Sequence, residues 1–186
     1  LIVALAITAV LIASIVWLVV RAVQAKDALE DAVAASQRLA TALADADAAA
    51  AEDATQALIR YSGAAASASA DPVWRVFEIV PGLGANLTAV RVASANTHAI
   101  AEDVARPLVA LAGALTDPPS GALLDLDALS AGQGDVARAS ETLVVAADAL
   151  HGLDGASLLP PVADGVAKLT EVVDTARPMV AALADA

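Results

Sequence analysis

The first 20 positions, LIVALAITAVLIASIVWLVV, carry no charge. A helix of that length rises about 30 Å, the hydrocarbon thickness of a bilayer. Trp17 stands near one end, where an interfacial aromatic belongs, and Arg21 and Lys26 follow. Leu1 to Val20 is therefore read as a transmembrane helix, with the lipid bilayer as its partner. Val23-Gln24-Ala25 has the small residues of a signal-peptide cleavage site. The apolar run exceeds a signal core, which favours an uncleaved anchor. Orientation stays open at this point. Arg21, Lys26 and Arg38 draw the C-terminal side toward the cytoplasm, whereas long acidic domains are translocated despite such charges.

After the span the pattern becomes sparse and helical. From Ala22 to about Ala68 there is no proline, and the only glycine is Gly63. Leu29, Val33, Leu39, Leu43 and Leu58 form a thin apolar stripe among acids. This predicts one helix continuous with the span, reaching about 60–70 Å from the bilayer. Asp71-Pro72 is an N-cap followed by proline at the first helical position. It opens a short helix to about Val80, which Pro81-Gly82-Leu83-Gly84 ends. Asn86 is a plausible cap for the next helix, about Leu87 to Leu115, with Ile100, Val104, Leu108, Leu111 and Leu115 on one face.

Thr116 to Gly134 is loop-rich, with a helical turn or a strand-like piece expected at Leu123 to Leu129. Asp135 caps a helix in which Val136, Leu143 and Leu150 recur every seven residues, and His151-Gly152 closes it. The last helix follows Pro160-Pro161. Its face is Val162, Val166, Leu169, Val173, Ala176, Val180 and Leu183, alternating steps of four and three as in a coiled coil. That seam meets the chain end without a stop signal, which predicts a truncated chain. Asp103 to Ala110 is echoed by Asp174 to Ala181, and chance explains the echo about as well as a duplicated hairpin. Pro107 and Pro178, inside apparent helices, predict a kink or restart at each. The expected fold is all-α: an N-terminal transmembrane helix continuing into a long helix, then an elongated antiparallel bundle. Its segments are the span 1–20, the stalk helix 21–70, the corner and return helix 71–115, a connection 116–134 and a helical hairpin 135–186.

Composition changes this picture in three ways. The chain of 186 residues is 59% hydrophobic, much of it alanine, so the core should be thin and the helices close. A net charge of −12 leaves no basic patch for phosphates, which excludes nucleic acid as a partner. The absence of cysteine excludes disulfides and thiolate metal sites.

The order of features is informative. D-P-V-W-R, P-G-L-G-A-N-L-T-A-V-R and L-L-P-P-V-A-D, set among acidic Ala-rich helices behind a span, resemble the N-terminal part of a family of actinobacterial single-pass membrane proteins of unknown function. Members are often associated with cell-surface or exopolysaccharide gene clusters. The resemblance covers essentially the whole chain, and its specific part is Asp71 to Arg91. It implies an extracytoplasmic location after residue 21, a larger globular domain beyond this region, and no catalytic residues to transfer.

Candidate chemistry is thin. His98 and His151 lack metal-ligand spacing. Asp125-Leu-Asp127 begins like a calcium loop but fails at its fifth and twelfth positions, Leu129 and Val136. Gly82-x-Gly84 lacks the third glycine of a dinucleotide loop. Asn86-Leu-Thr88 matches a glycosylation sequon of low specificity. No cofactor, metal or catalytic residue is expected.

The residues singled out are Trp74, Phe77, Ile79, Pro81, Gly82 and Gly84. Their first reading is a structural corner: proline and glycine reverse the chain, and large side chains fill what alanine cannot. Their second is an exposed patch that docks a partner. Their third applies if the long helix breaks near Ala48–Ala51, when the short helix lies back on the bilayer. The expected function is a non-catalytic, membrane-anchored extracytoplasmic stalk or interaction module of the cell envelope. A ligand-sensing receptor domain and an accessory subunit of a larger membrane complex stand as alternatives. Protein partners, self-association and surface polysaccharide all stay open, and Ala9, Ala13 and Ser14 in the span permit helix association.

Overall fold

A computed structural model describes residues 2–116 and 126–184. Helix α1 (Ile2–Ala44) holds one stretch long and apolar enough to cross a membrane, and almost none of that stretch is covered by the rest of the chain. Leu5, Ile7, Val10, Ile12, Ile15, Val16 and Val19 are all exposed around it. The helix then continues into the bundle without a break.

The long helix expected to run on to Ala68 ends at Ala44. Asp47 N–H reaches back to the Ala42 carbonyl (2.9 Å) and Ala46 N–H to Leu43 (3.3 Å), while Ala46 takes φ 54°. This is the Schellman arrangement, with alanine where glycine is usual. Asp47 then caps helix α2 (Ala48–Ser69) by accepting from Ala50 N–H at 3.0 Å. Alanine hid this break, because it punctuates nothing. From Arg21 to Ala44 the helix rises about 35 Å, half the expected reach.

Helix α2 returns antiparallel along α1. Only part of the Leu/Val stripe lies in the seam: Leu39 and Leu58 are buried there, whereas Val33 and Leu43 are exposed. The seam is Ala25, Ala28, Ala32, Ala35, Leu39 and Ala42, stepping by three and four, against Ala51, Ala54, Leu58, Ser62, Ala65 and Ser69. Small side chains at a seven-residue repeat let two backbones approach closely. The hydroxyls add no unmet polarity, since Thr55 and Ser69 donate to their own helix's carbonyls.

Asp71 caps α3 (Pro72–Phe77), and a reversal leads into α4 (Gly84–Ile100). A π-helical turn, Ala101–Ala105, joins α4 to α5 (Arg106–Thr116). Arg106 N–H bonds to the Ala101 carbonyl, five residues back. Pro107 follows at once and lacks an N–H, so the widened turn is where the helix absorbs it. At Pro178, by contrast, α7 (Pro160–Ala184) continues as one helix.

Helix α6 runs from Leu126 to His151. Its start lies nine residues before the expected Asp135 cap, and Gly132 and Gly134 are within it. The rest of the proposed loop, 117–125 with Pro118, Pro119 and Ser120, lies outside the described residues. No strand occurs among the described residues, and the residues of the strand-like piece that are described, 126–129, are helical. Val136, Leu143 and Leu150 of α6 meet Val166, Leu169, Val173, Ala176 and Val180 of α7, with Val104 of the π turn beneath. Leu183, the last residue of that seam, is exposed. The architecture is all-α, a long N-terminal helix packed into an antiparallel bundle.

Candidate functional site

The fold-back of α2 carries Asp71 to the end of the apolar stretch of α1. Asp71 Oδ2 accepts from Trp17 Nε1 and from Arg21 Nε and Nη2, each at 3.2 Å. Its Oδ1 accepts from Val73 N–H at 2.9 Å, which caps α3. The Arg21 guanidinium also lies over the Trp17 ring, 5.4 Å from its centroid. The Val73 N–H, then Trp17 and Arg21, hold the Asp71 carboxyl below the usual carboxylate range, against an opposing effect of desolvation.

Behind this cluster Trp74 is 2% exposed and packs with Leu18, Ala25, Ala68 and Leu87, with Phe77 alongside. Trp74 Nε1 donates to the Leu87 carbonyl at 2.9 Å, so its one polar atom is satisfied. Arg91 grips Glu78 with two bonds, Nε to Oε1 at 2.6 Å and Nη2 to Oε2 at 3.1 Å, tying the end of α3 to α4. The Glu78 hydrogen bond raises the Arg91 pKa above its ordinary value.

The singled-out residues divide. Trp74 is core and Phe77 is half-buried against it. Ile79 is the most exposed of the large side chains among them. Pro81 and Gly82 are exposed in the reversal, and Gly82 takes φ 79°. Gly84 is buried, and a Cβ there would overlap the Glu78 carbonyl oxygen. The turn is therefore closed by backbone approach at Gly84 and by left-handed geometry at Gly82.

Asn86 does not cap α4, which starts at Gly84 with no side-chain cap. It is buried, and both ends of its amide are bonded. Nδ2 donates to the Gly82 carbonyl at 3.1 Å, and Oδ1 accepts from Leu159 N–H at 2.7 Å. An amide so engaged is no acceptor for a glycan. The three motif stretches, 71–75, 81–91 and 158–164, thus meet at one end of the bundle. Sequence spacing does not reveal the partners Trp17–Asp71, Glu78–Arg91 and Asn86–Leu159. Only the charge and capping types hint that each needs one.

The histidines build no reactive centre. His98 lies in the groove beside Gly63, with Nδ1 3.3 Å from Ser62 Oγ and Nε2 3.7 Å from Glu102. The composition is that of a hydrolytic triad, but the geometry is not. Ser62 is fully buried and donates to the Ile59 carbonyl, and 3.7 Å is too long for a hydrogen bond. His151 bridges the Ala147 carbonyl (2.8 Å) and Asp174 (3.3 Å), stapling α6 to α7. Asp125 lies outside the described residues and Asp127 falls within α6. Among the described residues, no three acids or histidines gather into a metal-binding group.

No protein-family model matches the chain, and neither does any curated protein or solved structure.

Proposed function

We propose that this chain is a membrane-anchored helical module of the cell envelope, in which the bundle is fastened directly to the end of its own span. It acts by holding a position and presenting surfaces, without catalysis in this region. One observation carries the reading. Asp71, after a fold-back of two helices, takes hydrogen bonds from Trp17 and Arg21, the two residues that end the apolar stretch. A flexible tether would need no such lock. The bundle stands as a short rigid stalk about 35 Å tall at its first hairpin, and not as a long single rod.

The bundle lies outside the cytoplasm. The resemblance of the Asp71–Arg91 stretch to extracytoplasmic actinobacterial proteins supports this. The test is topology. The chain has no cysteine, and Val145 is exposed on α6. Val145→Cys in intact cells is expected to react with a membrane-impermeant maleimide. Protection until lysis, with a control surface cysteine labelled, would place the bundle inside and overturn this location.

A further inference from the structure

We infer that the reversal between α3 and α4 is a second membrane contact, seated in the headgroup zone beside the span. The proposal rests on the anchoring reading above. Helix α2 runs toward the apolar stretch of α1 and α4 runs away from it, so the reversal points to the end from which that stretch projects. Its level along α1 is fixed by two contacts: Asp71 on Trp17 and Arg21, and Trp74 on Leu18. Trp17 is the interfacial aromatic of the span. The reversal therefore sits where hydrocarbon gives way to headgroups.

What it shows there is apolar. Val76 is 63% exposed, Ile79 83%, Val80 38% and Leu83 38%, at steps of three, one and three. Leu159, tied to the same corner through Asn86, is 57% exposed. Asp154 and Asp164 flank Leu159, and on α3 and its bonded partners Arg21, Arg75 and Arg91 stand against Asp71 and Glu78. The Asp71 and Glu78 carboxylates are already bonded to arginines, while Arg75 is exposed. An apolar tip beside an exposed cation, at interfacial depth, is the pattern of a segment that lies in the bilayer surface. Two contacts would fix the tilt of the bundle, which one span leaves free to swivel.

The experiment uses the full chain in nanodiscs of equal parts phosphatidylglycerol and phosphatidylcholine. An NBD fluorophore is placed singly at Ile79→Cys, at Val10→Cys in the span and at Val145→Cys on α6. Shallow doxyl-labelled lipids report contact with acyl chains. Quenching at 79 several-fold above that at 145, with 10 quenched as well, is the expected result. Quenching at 10 but not at 79 overturns the lipid contact and leaves the anchor standing. If 79 is shielded from aqueous iodide yet untouched by doxyl lipid, a protein surface covers it and the proposal is wrong. Failure to quench at 10 removes the anchor, and the proposal with it. Ile79 is 83% exposed, so its substitution does not threaten folding.

Discussion

The chain reverses direction at both ends of its first helical pair, and the two reversals are built from opposite materials. The upper one, Asp45-Ala46-Asp47, has only small and acidic side chains and leaves Leu43 singly exposed nearby. Backbone hydrogen bonds and one Asp cap hold it. The lower one gathers a buried Trp, a bidentate Arg–Glu pair, a buried Asn and two structurally required glycines. The difference follows from what each must hold. The upper turn joins two helices that already zip through an alanine seam. The lower corner joins α1, α3, α4 and the α6–α7 connection around Trp74, the Arg91–Glu78 pair and Asn86. Bulk and directed polar bonds do there what periodic alanine does elsewhere.

Substitutions can break this contrast, beginning at the lower corner. Trp74→Ala removes the largest buried side chain and is expected to cost about 3–5 kcal/mol in thermal or denaturant unfolding in detergent. Gly84→Ala drives a Cβ into the Glu78 carbonyl and should cost about 3 kcal/mol or more. Gly82→Ala meets open space, and its left-handed backbone limits the cost to about 1–2 kcal/mol. Equal losses at the two glycines would mean that the corner is looser than described.

In the alanine seam the sign of the size change is reversed. Ala35→Leu overfills a fully buried position and is expected to lose about 1–3 kcal/mol, where the same change at exposed Ala40 is nearly silent. Charge gives a different signature. The Asp71 carboxyl is depressed in the fold, so its contribution is present above the ordinary carboxylate pKa and is lost as pH falls through the depressed value. Stability should therefore be level near neutrality and decline below about pH 4, with a shallower decline in Asp71→Asn. The smallest effect lies at the upper turn. Ala46→Gly relieves a left-handed alanine and should stabilise by about 0.5–1 kcal/mol.

Much of the fold was legible because it depends on large residues. The seven-residue repeats in α6 and α7 put Val136, Leu143, Leu150, Val166 and Val173 in the core. Asp71-Pro72 marked a helix start, and Pro81 to Gly84 marked a reversal. What was illegible rested on alanine. A helix that ends in an alanine Schellman turn has no glycine or proline to announce it, and a seam of alanines has no contrast with an alanine-rich exposed face. The single missed break at Ala46 then displaced the site. Without it Asp71 stands far above the span, and its bonds to Trp17 and Arg21 have no geometric basis. The candidate residues were found by composition, since rare aromatics and glycines cluster there. Their location on the molecule could come only from the fold-back.

The fold-back is also what a single distance can decide. Gln24 and Val76 are both exposed, the first just past the apolar stretch and the second on α3. Spin labels at Gln24→Cys and Val76→Cys in the full chain, measured by pulsed dipolar spectroscopy in nanodiscs, report their separation. A fold-back that packs α3 on α1 gives neighbouring helices and a separation of about 20 Å, label arms included. One straight helix out to Ala68 would hold the labels more than about 60 Å apart, and that distance would contradict the account.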